Sequence, residues 1–332
     1  GQGGGADLGG TRTTTPDKVG TVPLPAGRTA VGISTGADFS CALLDNGQAL
    51  CWGQGRSNRL GVPYGSPITT IDMDTASLPL VDIPVNTTLL AIDSGETHSC
   101  GILDTGDVYC WGYRIFLTTR QSSVFSSFPA GRPVVKVSVG SEHACAITDE
   151  GQLSCWGDGS ARGTGPGSPE GPKQVQLPPG TSAISVSAGS RHTCAVLNTT
   201  QVLCWGSNTY GQLGRNDTAI RQYAIDPGHS VPEAVPLPHG AIASDIAAGK
   251  DSSCVMLAPH GNVSCWGDGS RQQLGNGDTG TLGDSSLLHM LGQKEDLQLS
   301  LPTWKIIAGN KHTCAILEDK SVRCWGANSY KQ

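Results

Sequence analysis

The sequence predicts a single all-β domain of the propeller class over residues 1–332, and three observations predict it. A short phrase with two cysteines returns six times, the composition favours turns over helices, and the strands in each copy are apolar on both faces. A unit copied in series buries its faces against its own neighbours, as the blades of a propeller do. Side chains that recur in every copy more often support the architecture than catalyse a reaction, so no enzyme activity is expected.

Each copy of the phrase holds a pair of cysteines, and the second cysteine of each pair precedes Trp-Gly. The pairs are Cys41 and Cys51, Cys100 and Cys110, Cys145 and Cys155, Cys194 and Cys204, Cys254 and Cys265, and Cys314 and Cys324. These pairs use all 12 cysteines of the chain. The repeats centred on them run nearly from end to end, which favours one large domain over two.

The spacing within a pair predicts a β-hairpin. In the first copy, Asp45-Asn46-Gly47 has the composition of a tight turn, with Gly47 at the position that needs a positive φ. A three-residue loop of this kind places Cys41 directly opposite Cys51. Opposed residues on antiparallel strands have Cβ atoms roughly 4.5–5.5 Å apart, which is close to disulfide reach.

The fifth copy has one more residue between its cysteines, and its tip, residues 258–261, is longer by the same amount. Cys254 and Cys265 therefore still face each other. We predict six disulfides, each inside one hairpin. Zinc binding is the alternative, but zinc sites usually have about two to four residues between neighbouring cysteines, whereas successive pairs here lie 45 to 60 residues apart.

Six structural disulfides are typical of secreted or extracellular proteins, because reducing compartments keep thiols free. Four sequons for N-linked glycosylation agree with that localisation, at Asn86, Asn198, Asn216 and Asn262. Asn198 begins one predicted hairpin tip and Asn262 follows another, so both are expected to be exposed. The alternative for Asn198 is a turn-forming role without a glycan.

The composition excludes several classes of function. The chain holds 46 Gly and 20 Pro, and only 15% of its residues are charged, which fits short strands and many turns. The net charge is −6 and the basic residues are scattered, so no nucleic-acid partner is expected. No apolar stretch approaches about 18 residues, so no membrane span is expected. No cofactor is expected either, since the glycine-rich runs lack a following helix.

A histidine lies two residues before the first cysteine in four copies: His98, His143, His192 and His312. A residue that recurs once per blade is spread around the ring and does not form one cluster. These histidines are therefore expected to be structural, with metal binding or acid–base catalysis as the alternative.

The fullest copy of the phrase lies in residues 187–214, where His192-Thr-Cys194 leads through Cys204-Trp-Gly to Gly211-Gln-Leu-Gly. This phrase resembles the regulator of chromosome condensation repeat, and weaker copies cover almost the whole chain. The resemblance implies a β-propeller, typically of seven four-stranded blades. The cysteine-paired variant is similar to secreted members of that family and to the ectodomains of crinkly-type plant receptor kinases.

The number of blades stays open between six and seven. Residues 1–9 align without gaps on residues 53–61, so the chain opens inside one repeat, and it closes inside another, just short of the expected Leu-Gly. Six whole periods lie between these points. The chain is therefore expected to be part of a longer protein.

We expect a non-catalytic extracellular module with a structural or protein-binding role, such as a component of a glycosylated surface assembly. Its partners would be another protein or further copies of the chain, and it would carry N-linked glycans. One alternative is a receptor ectodomain or a soluble protein inhibitor that binds through loops at the rim of the ring. Guanine-nucleotide exchange, the activity of the nuclear founder of the family, is disfavoured by the paired cysteines, the sequons and the acidic balance.

The units differ most in length after Trp-Gly, in residues 54–88, 207–242 and 268–303, and these segments are expected to form one rim of the ring. A further segment is rich in aromatic residues. Tyr113, Phe116, Phe125 and Phe128 could form a contact patch for a partner. The alternative is that these rings pack beneath the loop.

Overall fold

The repeats fold into six antiparallel sheets, one for each pair of cysteines. The computed structural model describes residues 21–62, 70–71, 78–113, 122–126, 128, 131–157, 161–164, 171–221, 234–237, 241–283, 299 and 301–327. Within these ranges the regular structure is β-strand, apart from one 3₁₀ turn at Arg56–Asn58. The all-β class is confirmed, and we number the sheets as blades one to six in chain order.

The first strand of each blade is its inner strand, because the first strands of consecutive blades contact one another. The inner strands are β1 (Ala30–Thr35), β5 (Leu89–Ser94), β9 (Val134–Val139), β13 (Ala183–Ala188), β16 (Ile242–Ala248) and β19 (Thr303–Ala308). The second strands are β2 (Phe39–Leu44), β6 (His98–Leu103), β10 (His143–Thr148), β14 (His192–Leu197), β17 (Ser252–Ala258) and β20 (His312–Leu317). The third strands are β3 (Ala49–Gln54), β7 (Val108–Gly112), β11 (Leu153–Gly157), β15 (Val202–Gly206), β18 (Asn262–Gly267) and β21 (Val322–Gly326).

A fourth strand completes the first three blades. These outer strands are β4 (Thr70–Ile71), β8 (Ser123–Phe125) and β12 (Lys173–Gln174). In blades four and five an isolated bridge stands in the same place, since Gly206 pairs with Arg221 and Gly267 pairs with Leu282. The strands of each sheet follow chain order from the inside outwards, which is the meander of a propeller blade.

The second and third strands form the hairpins that the cysteine spacing predicts. In blade one, Leu44 donates its N–H to the carbonyl of Gln48 at 2.8 Å, and Gly47 has a φ of 75°. Cys41 pairs directly with Cys51. The longer fifth hairpin also keeps its cysteines opposite each other, because the additional residue lies in the tip between Leu257 and Asn262. The predicted hairpins are confirmed.

The apolar core lies between the blades. At the junction of blades four and five, Val196 and Val202 of one blade cluster with Val255, Leu257 and Trp266 of the next. All five are buried. Fully burying one such aliphatic side chain contributes roughly 1.5–3 kcal/mol, so the stacking of blades accounts for much of the stability. This packing explains why the strands are apolar on both faces.

Hydrogen bonds from the hairpin tips hold the next blade in place. The carbonyl of Gly47 accepts the N–H of Leu89 at 2.8 Å, and the carbonyl of Gly151 accepts the N–H of Ala183 at 2.8 Å. The same bond recurs between the tip glycines of blades two and five and the inner strands that follow them. The tip of one blade therefore fixes the first residue of the next inner strand.

A glycine follows each inner strand where neighbouring blades come closest. These glycines are Gly36, Gly95, Gly140, Gly189, Gly249 and Gly309. A Cβ on Gly189 would lie 2.5 Å from the carbonyl oxygen of Gly249, and a Cβ on Gly249 would lie 2.6 Å from that of Gly309. Gly95 and Gly140 face the next glycine carbonyl in the same way. Glycine is therefore required at this position to let the backbones approach.

The two ends of the stack are uncovered. The third strand of blade six, β21, is exposed or half-buried throughout, whereas the third strands of blades two to four are fully buried. At the other end, Ile33 in the inner strand of blade one is 70% exposed. Among the described residues no strand covers these faces. Whether six or seven blades close the ring stays a prediction, as does the single domain over residues 1–332, and residues 1–9 lie outside the described ranges.

Replacing Gly189 with alanine is expected to destabilise the protein by about 2 kcal/mol or more, because the added Cβ would overlap the backbone of blade five. Gly280→Ala is the matched control, since a Cβ there meets no atom within 4 Å, and its effect should stay within about 0.5 kcal/mol. Urea unfolding of the two variants beside the wild type measures both changes. Equal stability of the two variants would contradict the close approach of the blades.

Candidate functional site

The six predicted disulfides are present, and each lies inside one hairpin. The bonded pairs match the six pairs of the repeats, with Cα–Cα distances of 4.0–4.2 Å. No cysteine is free. The sulfur pairs of blades one to five are buried, whereas Cys314 is half-buried and Cys324 is exposed in blade six. Zinc binding by these cysteines is therefore ruled out while the bonds are intact.

A polar junction joins the hairpins of blades four, five and six to the blade that precedes each of them. Thr193, which precedes Cys194, donates its hydroxyl to the carbonyl of Ala161 at 2.8 Å, and the indole N–H of Trp205 donates to the same carbonyl at 2.9 Å. Nε2 of His143 lies 2.8 Å from the hydroxyl of Thr193. Two side chains of the repeat phrase thus meet at one carbonyl of the preceding blade, and a histidine of that blade bonds to the hydroxyl group.

The same junction recurs further along the chain. Between blades four and five, Ser253 and Trp266 both donate to the carbonyl of Gln212 at 2.9 Å, and Nε2 of His192 lies 2.9 Å from the hydroxyl of Ser253. Between blades five and six, the carbonyl of Gln273 accepts from the corresponding threonine and tryptophan. This recurrence explains why Trp-Gly and a hydroxyl residue return in the repeats.

The repeated histidines are buried structural residues. His98, His143 and His192 are at most 1% exposed, and His312 is half-buried. Burial lowers the pKa of His98 and of His192 to about 4, and it also lowers the pKa of His312. His98, His192 and His312 are therefore neutral at physiological pH. No group of three or more potential metal ligands occurs within the described ranges.

A polar cluster connects three consecutive inner strands. Lys136 in β9 donates to Ser185 in β13 at 2.7 Å and lies 3.3 Å from the carboxylate of Asp245 in β16. Ser185 donates to the same carboxylate oxygen at 2.5 Å. Since Lys136 of blade three reaches blade five past blade four, these side chains lie on the axial side of the inner strands. In the sequence, the one regularity of this cluster is that each residue lies four positions before the glycine that follows its inner strand.

A second axial carboxyl group, Asp93, bridges blades one to three. It accepts the backbone N–H of Val139 at 2.7 Å and the hydroxyl of Ser34 at 3.3 Å. Burial raises its pKa to about 6, although these hydrogen bonds oppose the shift. Ser138 and Ser187 take the same place in later blades and accept the N–H groups of Ala188 and Ala248. The group therefore ties blades together.

The four sequon asparagines, Asn86, Asn198, Asn216 and Asn262, are all exposed. Asn198 begins the hairpin tip of blade four, and its side-chain oxygen accepts the N–H of Ser182 at 3.1 Å. Asn262 begins β18, directly after the tip of blade five. The positions expected for Asn198 and Asn262 agree with the structure, and glycosylation itself stays a prediction.

The aromatic cluster of blade two is mostly buried. Phe125 and Phe128 are 4% and 5% exposed, and their ring centroids lie 5.1 Å and 6.1 Å from that of Trp156 in blade three. Both rings pack against Trp156 and are not accessible to a partner. Tyr113 is half-buried, and Phe116 lies outside the described residues. For these two residues a contact patch stays a prediction.

The turns between second and third strands form one surface, which we call the hairpin-tip face. The turns are residues 45–47, 104–106, 149–151, 198–200, 258–261 and 318–320. Parts of the three predicted rim segments, residues 63–69, 72–77, 222–233, 238–240, 284–298 and 300, lie outside the described ranges. The turns of the hairpin-tip face, in contrast, all lie within the described ranges.

Two models of the regulator of chromosome condensation (RCC1) repeat match the chain. One matches residues 30–59, 90–113, 134–163, 183–212 and 305–332. The other matches residues 201–256, and together they span more than half of the chain. The chain belongs to the regulator of chromosome condensation repeat family. Four of the five segments in the first match begin at or within one residue of an inner strand and include the following hairpin, so the RCC1 repeat coincides with a blade.

Other RCC1-type proteins resemble the chain in sequence or in structure. The ultraviolet-B receptor UVR8 of Arabidopsis thaliana is 34% identical over 107 residues, which are 31% of this chain and 22% of that receptor. Yeast RCC1 (Prp20), solved with Kap60 bound, superimposes with a TM-score of 0.69 at 17% identity, over 91% of this chain and 71% of that one. The ectodomain of the Physcomitrella patens receptor kinase CR4 gives a TM-score of 0.55 at 23% identity, over 91% of this chain and 63% of that one. These structural matches confirm the RCC1-type propeller fold.

No helix in the described part of the chain is both long enough and apolar enough to cross a membrane. The chemistry of the RCC1 blades is that of a rigid scaffold, because their buried histidines, tryptophans and hydroxyl groups bond to one another between blades. What varies between blades is the set of side chains on the tips and on the axial side of the inner strands.

Acidification is expected to destabilise the protein between about pH 6.5 and pH 4. The pKa of His98 and that of His192 lie at about 4 in the folded protein, below the usual value of 6.5, so protons bind the unfolded chain preferentially in this window. Asp93 has the opposite effect on stability. Its pKa is raised to about 6, so its protonation favours folding as pH falls. Each pKa unit corresponds to about 1.4 kcal/mol, so the two histidines outweigh the carboxyl group by roughly 4 kcal/mol.

Urea unfolding at pH 7 and pH 4 measures this loss. His192→Gln should remove about half of the histidine contribution, because glutamine keeps a polar group near Ser253 but does not titrate. His260→Gln, at an exposed tip residue, is the matched control and should leave the pH dependence as it is. An unchanged pH dependence in His192→Gln would show that this histidine does not govern acid stability.

Removing one disulfide should cost more in an inner blade than in blade six. Replacing both Cys194 and Cys204 with alanine opens a bridge whose two residues are fully buried, and the expected loss is about 2–4 kcal/mol. The same double change at Cys314 and Cys324 is the control, and it should cost less because this pair is partly exposed and leaves a smaller cavity. Urea unfolding without reductant compares the two. A larger loss in blade six would contradict the burial argument.

Proposed function

We propose that the chain is a non-catalytic protein-interaction module that works outside the cell, as a secreted or cell-surface domain. The observation that carries this proposal is that all 12 cysteines form six disulfides within single hairpins. Structural disulfides persist in oxidising compartments and are rare in the cytosol and nucleus. An extracellular location is the simplest reason for a bridge in every blade.

The geometry supports binding rather than catalysis. The tips of blades one, two, three and five are each held by a disulfide hairpin and by a hydrogen bond to the next blade, so they present side chains on a preorganised surface. Preorganised loops on a rigid scaffold are a common form of binding site. Yeast RCC1 was solved in complex with the protein Kap60, and CR4 is the ectodomain of a receptor kinase, so partner binding and an extracellular setting both occur on this fold.

Glycosylation of the four sequons forms the second part of the proposal. All four asparagines are exposed, and two of them lie at or beside hairpin tips in blades four and five. Glycans at these positions would extend from the surface without disturbing the packed blades. They would also restrict access to the tips of blades four and five.

A role in an assembled surface layer is the second candidate. It is favoured by the uncovered faces at the two ends of the stack, where Ile33, Ile307 and Val322 are each more than half exposed. Further copies of the chain could cover such faces. A receptor ectodomain or a soluble inhibitor remains the alternative within the binding class. Nucleotide exchange is not supported, because a nuclear protein would not retain six disulfides.

Secretion and glycosylation test the proposal directly. The chain, fused behind a signal sequence in cultured eukaryotic cells, is expected to appear in the medium and to lose mass on treatment with peptide N-glycosidase. Asn198→Gln and Asn262→Gln should each remove one glycan, as shown by intact-protein mass spectrometry. Asn208→Gln is the matched control, since this buried asparagine is not in a sequon and its change should remove no glycan.

Retention of the folded, disulfide-bonded chain inside the cells without a glycan would contradict the extracellular assignment. Secretion without glycans would leave the localisation standing and remove the glycoprotein part of the proposal.

A further inference from the structure

Every inner strand carries one residue more than the partner strand opposite it. In blade one the pairing passes from Ala30 directly to Gly32, so Val31 is the extra residue of a β-bulge. The extra residues of the six blades are Val31, Leu90, Val135, Ile184, Ser244 and Trp304. A bulge turns a side chain away from the regular alternation of a strand. In five of the six blades the side chain at this position is exposed, whereas Ser244 of blade five is half-buried and donates its hydroxyl to the carbonyl of Met256 at 3.1 Å.

Five of these six extra residues are large, apolar and exposed. Their exposed fractions are 63% for Val31, 64% for Leu90, 59% for Val135, 50% for Ile184 and 61% for Trp304. Single exposed apolar residues are normal on protein surfaces, whereas a contiguous group marks an interaction site. The residue just before each of these bulges in blades two to four is almost fully buried. In these three blades a buried residue and an exposed apolar residue therefore lie side by side at the bulge.

These exposed residues lie on the hairpin-tip face. The carbonyl of Thr29 accepts the N–H of the tip residue Asp45 at 3.0 Å, and Val31 follows two residues later. Pro133 and Asp149 form the same bond at 3.0 Å ahead of Val135. Because consecutive inner strands contact one another, the five side chains follow a curve around the axis. We call this group, Val31, Leu90, Val135, Ile184 and Trp304, the apolar arc.

The hairpin tips surround the apolar arc with negative charge. Their carboxylates are Asp45, Asp104, Asp107, Asp149, Glu150, Glu318 and Asp319. The basic groups beside them are fewer, namely Arg28, Arg132, Lys305, Lys320 and Arg323, the last of which acts electrostatically on Asp319. Two of these already pair with carboxylates, Arg28 with Asp45 and Arg132 with Asp149 and Glu150, and the ammonium of Lys320 lies 5.2 Å from the ring centroid of Trp304. Asp104, Asp107, Glu318 and Asp319 have no ion pair with a described residue, so the face keeps an acidic excess.

We propose that the apolar arc docks a protein segment that presents apolar side chains flanked by lysine or arginine. This proposal rests on the proposed function, and it names the surface and the class of partner. The apolar side chains would pack on the arc and lose their contact with water, which provides the affinity. The basic side chains would reach the tip carboxylates that have no ion pair. These contacts would orient the partner and speed its association.

Charge favours a basic protein segment over the two other possible occupants of an apolar surface, a membrane and a second copy of the chain. An anionic membrane surface would be repelled by the carboxylates around the arc. A second copy docked through the same face would bring two acidic faces together, and like charges across an interface are unfavourable. A basic, apolar protein segment meets neither obstacle.

The first variant removes the apolar character of the arc. Leu90, Val135 and Ile184 are replaced together by serine, and since each is at least half exposed the fold should tolerate the change. The matched control replaces Val124 and Ile220 by serine, two apolar residues with exposed fractions of 46% and 59% that lie away from the hairpin tips. The second variant, Glu318→Gln with Asp319→Asn, removes two carboxylates and no apolar surface. Circular dichroism checks that each variant is folded.

The probe is a phage-displayed library of random peptides, selected on the full chain with its disulfides intact. The enriched peptides are expected to combine apolar residues with lysine or arginine. In fluorescence anisotropy, the serine variant of the arc should bind them at least about tenfold more weakly than the wild type, while the control variant binds them as the wild type does. The carboxylate variant should weaken binding severalfold, and added salt should have a smaller effect on it than on the wild type.

Several results would overturn the proposal. Enrichment of acidic or uncharged peptides, or none at all, would reject the partner class. Equal binding by the arc variant and the wild type would reject the surface. Arc-dependent binding to vesicles of phosphatidylcholine and phosphatidylserine, or arc-dependent dimers in analytical ultracentrifugation, would assign the arc to lipid or to a second copy. If the triple change prevents folding, Val135→Ser alone decides between these outcomes.

The failure of this proposal can be told from failure of the proposed function. A secreted, disulfide-bonded protein that selects no basic and apolar peptide would overturn the docking surface and leave the extracellular module standing. A protein that binds such peptides through the arc but is kept in a reducing compartment would overturn the extracellular module and leave the docking surface standing.

Discussion

The cross-strand disulfide of each hairpin is the constraint on which the rest of the structure depends. A two-stranded hairpin is marginally stable in water, and a slip of one residue would turn every side chain to the opposite face. The bond between directly opposed cysteines, at Cα–Cα distances of 4.0–4.2 Å, excludes that slip. Once the register is fixed, the hydroxyl residue and the tryptophan beside the cysteines reach the same carbonyl of the preceding blade in blades four to six.

The junctions between blades show how a repeated unit can still vary. Thr193, Ser253 and Thr313 supply the hydroxyl group of the junction in blades four to six. In blade three this place is taken by Ala144, which has no hydroxyl group to offer to His98. Phe125 and Phe128 pack against Trp156 of this blade. Apolar packing can therefore replace a polar contact without loss of the stack.

The sequence predicted the parts of the fold that depend on local spacing. The hairpins, the facing cysteines and the four-residue fifth tip follow from counting residues between two cysteines around a recognisable turn. The burial of Phe125 and Phe128 could not be decided in the same way, because it depends on where blade three places Trp156. The cluster of Lys136, Ser185 and Asp245 joins residues from three blades, and no local sequence pattern predicts it. The apolar arc was also missed, since a bulge appears only when two strands are aligned.

The central claim is that the sulfur atoms join opposed strands within each blade of the native protein. Peptide mapping by mass spectrometry tests it most directly, on protein from its natural source, with thiols alkylated at low pH before digestion without reductant. The account predicts six linked peptides, each joining the two cysteines of one repeat, and no alkylated cysteine. Alkylated cysteines in most repeats, or links between different repeats, would contradict it.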